Sequence, residues 1–216
     1  MTERVQKIYE LLKEEYPDVH CELNYQTPLQ LLTATVLSAQ TTDRQVNRVT
    51  EKLFAEHPDL DTLLELSEEE LENYIHSLGF YHTKARNLYR LFRELADRFQ
   101  GEVPQTMQEL TSLPGVGRKT ANVVLANAFG IPAIAVDTHV FRVSNKIGLV
   151  HASNVRETEK QLQNALDPEI WSLMHHLLIF HGRRCCSARS PQCERCVIRQ
   201  YCEYYQKEWE NDGETV

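Results

Sequence analysis

Apolar residues recur at helical spacing through most of this 216-residue chain. Val5, Ile8, Tyr9 and Leu12 share one face of a segment spanning 3–16, the stripe of an amphipathic helix, and Pro17 ends it. Thr27-Pro28-Leu29-Gln30 reads as a capping box with proline at the first helical position. It opens an apolar helix through Leu32, Val36 and Leu37. That helix ends in Ser38-Ala39-Gln40-Thr41-Thr42-Asp43, where Asp43 is placed to cap the next helix. Ser67-Glu68-Glu69-Glu70 is another box, with Leu66 and Leu71 as its staple, and predicts a helix to Gly79. Lys84 to Phe99 turns Leu88, Leu91, Phe92, Leu95 and Phe99 inward.

Thr106 to Glu109 opens a short helix, and a further one runs from Arg118 to a stop before Gly130 and Pro132. Asp137 opens a helix over Thr138 to Ile147, Asn154 caps another, and Asp167-Pro168 starts a third that runs to Gly182. Cys21 reads as a buried thiol without a role. The apolar run over 131–136 has the pattern of a buried strand. No partner strand is evident, so it reads as an extended connector. Helices joined by short loops predict an all-α fold.

This length admits one large domain or two small ones. A hydrophobic content of 42% suffices for a core. The net charge of -8 argues against a broadly basic nucleic-acid binder, yet binding needs only a local basic face. Arg183, Arg184, Arg189, Arg195 and Arg199 gather near the C-terminus, while acid concentrates over Glu65 to Glu72. No run is long and apolar enough to span a bilayer, and no secretory signal opens the chain. Both predict a cytoplasmic protein without membrane partners, in which six cysteines are not three disulfides.

Two stretches carry chemistry. Leu113-Pro114-Gly115-Val116-Gly117-Arg118-Lys119 reads as a tight turn feeding a helix. Its glycines allow close approach of another chain. The first N–H groups of the helix have no internal partner and sit at its positive end, which suits a phosphate oxygen. Lys119 lies in that first turn. Near the C-terminus, Cys186, Cys193, Cys196 and Cys202 fall in one short segment. Four thiolates so placed read as a tetrahedral zinc site or an iron–sulfur cluster, and the donor set alone does not choose. Such a loop has few apolar residues and needs its metal to order.

Helix, hairpin and helix over 106–126, then Val136-Asp137-Thr138-His139, then the cysteine spacing, together resemble the endonuclease III family of helix-hairpin-helix base-excision DNA glycosylases. The resemblance runs from about Cys21 to Tyr204. It implies a middle domain of six helices over 21–131 that holds the hairpin. The two ends, 1–20 and 132–216, would form a second domain with a [4Fe–4S] cluster on the loop 186–202, and DNA would enter the cleft between them. Cys186, Cys193, Cys196 and Cys202 would be the ligands; the neighbouring Cys185 leaves the first ligand ambiguous, and spacing favours Cys186.

The resemblance also implies a monomer that acts on damaged double-stranded DNA as a bifunctional N-glycosylase for oxidised pyrimidines and an abasic-site lyase. Lys119 would be the nucleophile, favoured in its neutral form by the helix N-terminus, partial burial and Arg118. Asp137 would assist it. Gln40 would enter the duplex where the damaged base has left. Phe80 would wedge into the opposite strand, at a place where the family carries an aliphatic residue. Leu113, Gly115, Val116, Gly117, Arg118, Arg183 and Arg184 would contact DNA. Two other readings are an adenine-mispair glycosylase of the MutY type and a non-catalytic helix-hairpin-helix DNA-binding module. The first is disfavoured because that type usually lacks a lysine at position 119 and carries a glutamate where Thr35 stands. The second leaves the pairing of Lys119 with Asp137 to chance.

Overall fold

Side-chain oxygens start most of the helices. Thr2, Thr27, Thr42, Asp59, Ser67, Thr106, Asp137 and Asn154 each accept a backbone N–H two or three residues into the helix that follows. Each supplies a partner for one of the donors that a helix start leaves open. The computed structural model describes residues 1–212, with side chains to 207. Among these residues all the regular structure is helical, with no strand. No helix among them is long and apolar enough to cross a membrane.

The elements are α1 (Glu3–Glu15), α2 (Pro28–Leu37), α3 (Asp43–Glu56), α4 (Leu60–Leu64), α5 (Glu68–Ile75), α6 (Tyr81–Phe99), α7 (Met107–Ser112), α8 (Arg118–Phe129), α9 (Thr138–Lys146), α10 (Val155–Ala165), α11 (Trp171–Arg184) and α12 (Glu203–Asp212). They fall into two compact units, one over Cys21–Ile131 and one over Met1–His20 with Pro132–Val216.

The first unit holds α2 to α8: six helices of six residues or more and the single-turn α4. Its centre is α2, in which every residue from Gln30 to Leu37 is buried. A helix apolar on all sides belongs inside a core, and α2 packs on α3, α6 and α8. The long α6 turns Leu88, Leu91, Phe92 and Leu95 inward; Phe99 is only half-buried.

The second unit packs α9 and α1 against α11 around Ile8, Leu12, Val140, Val143, Met174, Leu177 and Leu178. Arg4 ties the start of the chain to its end. Its guanidinium donates to the carbonyls of Gly148 at 2.8 Å and Tyr201 at 2.9 Å.

Several boundaries differ from those expected. The α5 helix ends at Ile75 and not Gly79, because the chain must turn before α6, which starts at Tyr81 and not Lys84. The cap of α3 is Thr42, and Asp43 is already in the first turn. At α2 the Gln30 carboxamide accepts from the Gln26 N–H at 2.9 Å, not from the cap residue. Gly182 does not stop α11, which continues to Arg184. A Cβ at Gly182 would lie 3.0 Å from Val143 Cγ2 and 3.2 Å from Arg142 Nη2, so this glycine serves the close contact of α9 with α11. Cys21 is half-buried. The run after Ile131 is extended, as read from the sequence.

Candidate active site and metal centre

In the hairpin, Gly115 takes φ +75°, a left-handed angle that side chains rarely adopt. A Cβ there would also meet Asn87 of α6 at 3.0 Å. Gly117 caps α8 and offers no side-chain oxygen, so the leading N–H groups of α8 lack the side-chain acceptor most other helices have. Lys119 follows in the first turn and is exposed. The partial burial expected of it is therefore absent in the free protein. Leu113 and Val116 are buried, at 3% and 7% exposure. Their apolar side chains anchor the turn in the core. Gly115, Gly117 and Arg118 are exposed.

In the same unit, Gln40 and Phe80 are exposed and both hold left-handed backbone angles, φ 53° and 57°. Phe80 is 69% exposed. Thr35, where an adenine-mispair glycosylase would carry its glutamate, donates its hydroxyl to the Leu31 carbonyl at 2.7 Å inside the core.

Asp137 lies in the other unit, where it caps α9. Its Oδ1 accepts the Val140 N–H at 2.8 Å, which fixes the carboxylate in place. Thr138, His139, Arg142, Gly182 and Arg183 line a shallow hollow beside it.

A second, partly open hollow is lined by Cys185, Cys186, Cys193, Cys196 and Cys202 with Lys146, Ile147 and His181. Ligand atoms of His181, Cys185 and Cys196 all lie within 4.8 Å of one another. Arg142 donates to the Cys186 carbonyl at 2.6 Å and brings Nη1 to 4.0 Å from its sulfur. Burial pushes the Cys196 thiol up to about 12, and burial also raises Cys185, Cys186 and Cys193.

Two family models match the chain. The HhH-GPD superfamily of base excision DNA repair proteins covers residues 33–168. The iron–sulfur binding domain of endonuclease III covers residues 186–202. The endonuclease III of Synechocystis is 47% identical over 201 residues, 93% of this chain and 92% of that protein. The Escherichia coli endonuclease III is 45% identical over 196 residues, 91% of this chain and 93% of that protein. The chain belongs to the endonuclease III family. A solved structure of a trapped covalent endonuclease III–DNA intermediate matches with a TM-score of 0.88 at 47% identity, covering 97% of this chain and all of that one.

As a member of the endonuclease III family the chain is a base-excision repair enzyme, a DNA glycosylase and abasic-site lyase, and it carries a [4Fe–4S] cluster. The hollow fits that group. It gathers thiols whose deprotonation burial opposes, so a thiolate set there needs cationic partners. Lys146 and Arg142 supply part of that charge, and a bound cluster would supply the rest. Arg195 and Arg199 do not simply face outward. Arg195 donates to the Arg184 carbonyl at 3.0 Å, and Arg199 donates to the Glu194 carbonyl, so both brace the cysteine loop. Arg184 lies over the Phe180 ring at 4.6 Å but remains exposed, as does Arg183.

Four side chains escaped the sequence reading. Tyr16 Oη and His181 Nδ1 are hydrogen-bonded at 3.0 Å beside the hollow, and His181 Nε2 lies 3.6 Å from Cys196 Sγ. The signal was a histidine inside the apolar run of α11. Arg142, one turn into α9, gave no signal at all. Lys84 stands at an apolar-stripe position of α6, four before Leu88, and is buried.

Proposed function

We propose that this chain releases an oxidised pyrimidine from duplex DNA and then cuts the strand, with Lys119 as nucleophile. The Lys119 amine attacks the sugar C1′. The C1′–N bond breaks and its electron pair leaves with the base, which takes up a proton. Opening of the sugar ring gives a Schiff base on Lys119. That cation acidifies the C2′ proton; its loss expels the 3′ phosphate oxygen and breaks the strand 3′ to the lesion. Asp137 accepts the proton that Lys119 sheds and offsets positive charge developing on the sugar. One observation carries the reading: an exposed amine in the first turn of a helix whose glycine cap provides no oxygen for the leading N–H groups. Those groups suit a phosphate and would hold the strand beside Lys119.

Gln40 enters the space left by the flipped base, and Phe80 stacks into the opposite strand. Base flipping costs a few kcal/mol, and one aromatic stack returns ~1–3 kcal/mol. The exposure of both side chains supports this role. Gly115, Gly117 and Arg118 meet the backbone, and Arg183 and Arg184 meet further phosphates. Cys186, Cys193, Cys196 and Cys202 hold the cluster; the match begins and ends on the outer two of them. The cluster supplies the cross-link that orders the loop. Its relatives named above are bacterial, and the chain acts as a monomer in the bacterial cytoplasm.

The test is a panel of single-lesion duplexes with and without borohydride. Oxidised pyrimidines should be released, the strand nicked, and a covalent adduct trapped. Release of mispaired adenine without nicking would support the adenine-mispair reading, and no release or nicking would support a mere binding module.

A further inference from the structure

The buried Lys84 is used by nothing described so far. It is 5% exposed, and among the described residues it has no carboxylate partner: its ammonium donates to Thr41 Oγ1 at 2.7 Å. Burial alone lowers its pKa. The first turns of α6, where it sits, carry the positive end of the helix dipole, which also disfavours a cation. A group held against both effects needs a reason, and its surroundings supply one. Thr41 Oγ1 passes the contact on by donating to the Ala39 carbonyl at 3.3 Å. Ala39 and Thr41 flank Gln40. The chain Lys84–Thr41–Ala39 thus closes around the one residue of that turn held at a left-handed angle, a conformation that persists only where neighbours over-determine it.

Helix periodicity extends the point. Lys84 and Asn87 share one face of α6 at i and i+3. Phe80 stands at the start of α6 with its own left-handed angle. Asn87 abuts Gly115 of the hairpin turn. One helix end therefore contacts, or carries, all three segments assigned to DNA in this unit. We infer that Lys84 is a positioning residue for base flipping: its ammonium fastens the Gln40 turn to the helix end that bears Phe80, so that plug and wedge enter the duplex in fixed register. The inference rests on the assignment of Gln40 and Phe80 made above.

The experiment compares single-turnover borohydride trapping on two substrates, an oxidised-pyrimidine duplex that must be flipped and a single-stranded abasic oligonucleotide that need not be. Lys84→Met keeps the apolar stem and removes the charge. It should slow the duplex reaction about tenfold more than the single-strand reaction, the scale of one charge-assisted hydrogen bond. Its melting temperature should equal or exceed that of the parent, because a poorly compensated buried charge has gone. Thr41→Val removes the same link from the half-exposed side and should show the same selectivity; it decides the matter if Lys84→Met does not fold. In a Gln40→Ala background, Lys84→Met should add less than about twofold, because the two act on one step. Equal losses on both substrates, or a full multiplicative effect in the Gln40→Ala background, would overturn the role of Lys84 alone. A Gln40→Ala that treats the two substrates as the parent does would overturn the assignment of Gln40, and this inference with it.

Discussion

The two units solve the problem of holding a functional segment in opposite ways. The unit over Cys21–Ile131 closes on a helix buried throughout, α2, and anchors its hairpin by tucking Leu113 and Val116 into apolar packing. The other unit has an apolar centre too, but its cysteine loop offers only Ile198 as a fully buried aliphatic side chain among residues 185 to 202. Two 3-10 turns, Cys193–Arg195 and Arg199–Tyr201, replace longer helices there. Arginines bonded to loop carbonyls and a set of thiols do the rest. Where chemistry needs exact placement of a backbone, as for the N–H groups of α8, hydrophobic burial is enough. A loop too polar to bury itself is tied by a metal instead.

The sharpest way to break this contrast is to remove one thiol. Cys193→Ser should abolish the visible absorbance near ~400 nm that iron–sulfur clusters give. The loop should lose protection from amide exchange, since a structural metal contributes on the order of 10 kcal/mol to the fold it organises. Exchange within α2 and α6 should not change. Loss of absorbance with full protection of residues 186–202 would show that the loop folds without its cluster.

Acid separates the units next. Three histidines of the cluster-bearing unit, His175, His176 and His181, are buried, whereas His57, His76 and His82 of the other unit are not. Burial, with His175 and His20 adding to it, holds His176 down to about 3. An unfolded histidine titrates near ~6.5. Between those values the unfolded chain binds a proton that the folded one refuses. Stability therefore falls as pH drops below about 6.5 and keeps falling to about 3, by about 2 kcal/mol at pH 5. Urea unfolding followed through the cluster absorbance should move to lower midpoints between pH 7 and pH 5, and His176→Gln should flatten that dependence. An unchanged slope in the variant would move the acid sensitivity to other groups.

The smallest expected effect lies in the hairpin-bearing unit. Ser67 and Glu70 form a complete capping box, with each side chain accepting the other's backbone N–H at 2.8 and 3.2 Å. Ser67→Ala should cost about 1 kcal/mol in a thermal melt and leave the cluster absorbance as it was.

The contrast also explains what could be read beforehand. Helix starts at Ser67, Thr106, Asp137 and Asn154 follow from local chemistry, because a cap is made with residues three positions away. The capless starts were harder. Tyr81 opens α6 behind a left-handed phenylalanine, a choice that tertiary contacts make and that no cap residue announces. Gly182 looked like a stop because glycine so often is one; only α9 lying against it shows that the missing Cβ makes room for Val143. At the sites, Lys119 and the cysteines stood out by type and spacing. Lys84, Tyr16 and Arg142 did not, since each works through a partner more than fifteen residues away in sequence. The burial of Leu113 and Val116 could not be separated from contact with DNA, because both roles ask for an apolar side chain in a glycine turn.

The central claim is that one amine, on Lys119, becomes bonded to the sugar. Peptide mapping of the borohydride-reduced protein–DNA adduct tests it most directly. The reduced sugar should be found on the peptide containing Lys119, and the Lys119→Ala protein should give no adduct. An adduct mapped to any other residue, or trapping that survives in Lys119→Ala, would contradict the account.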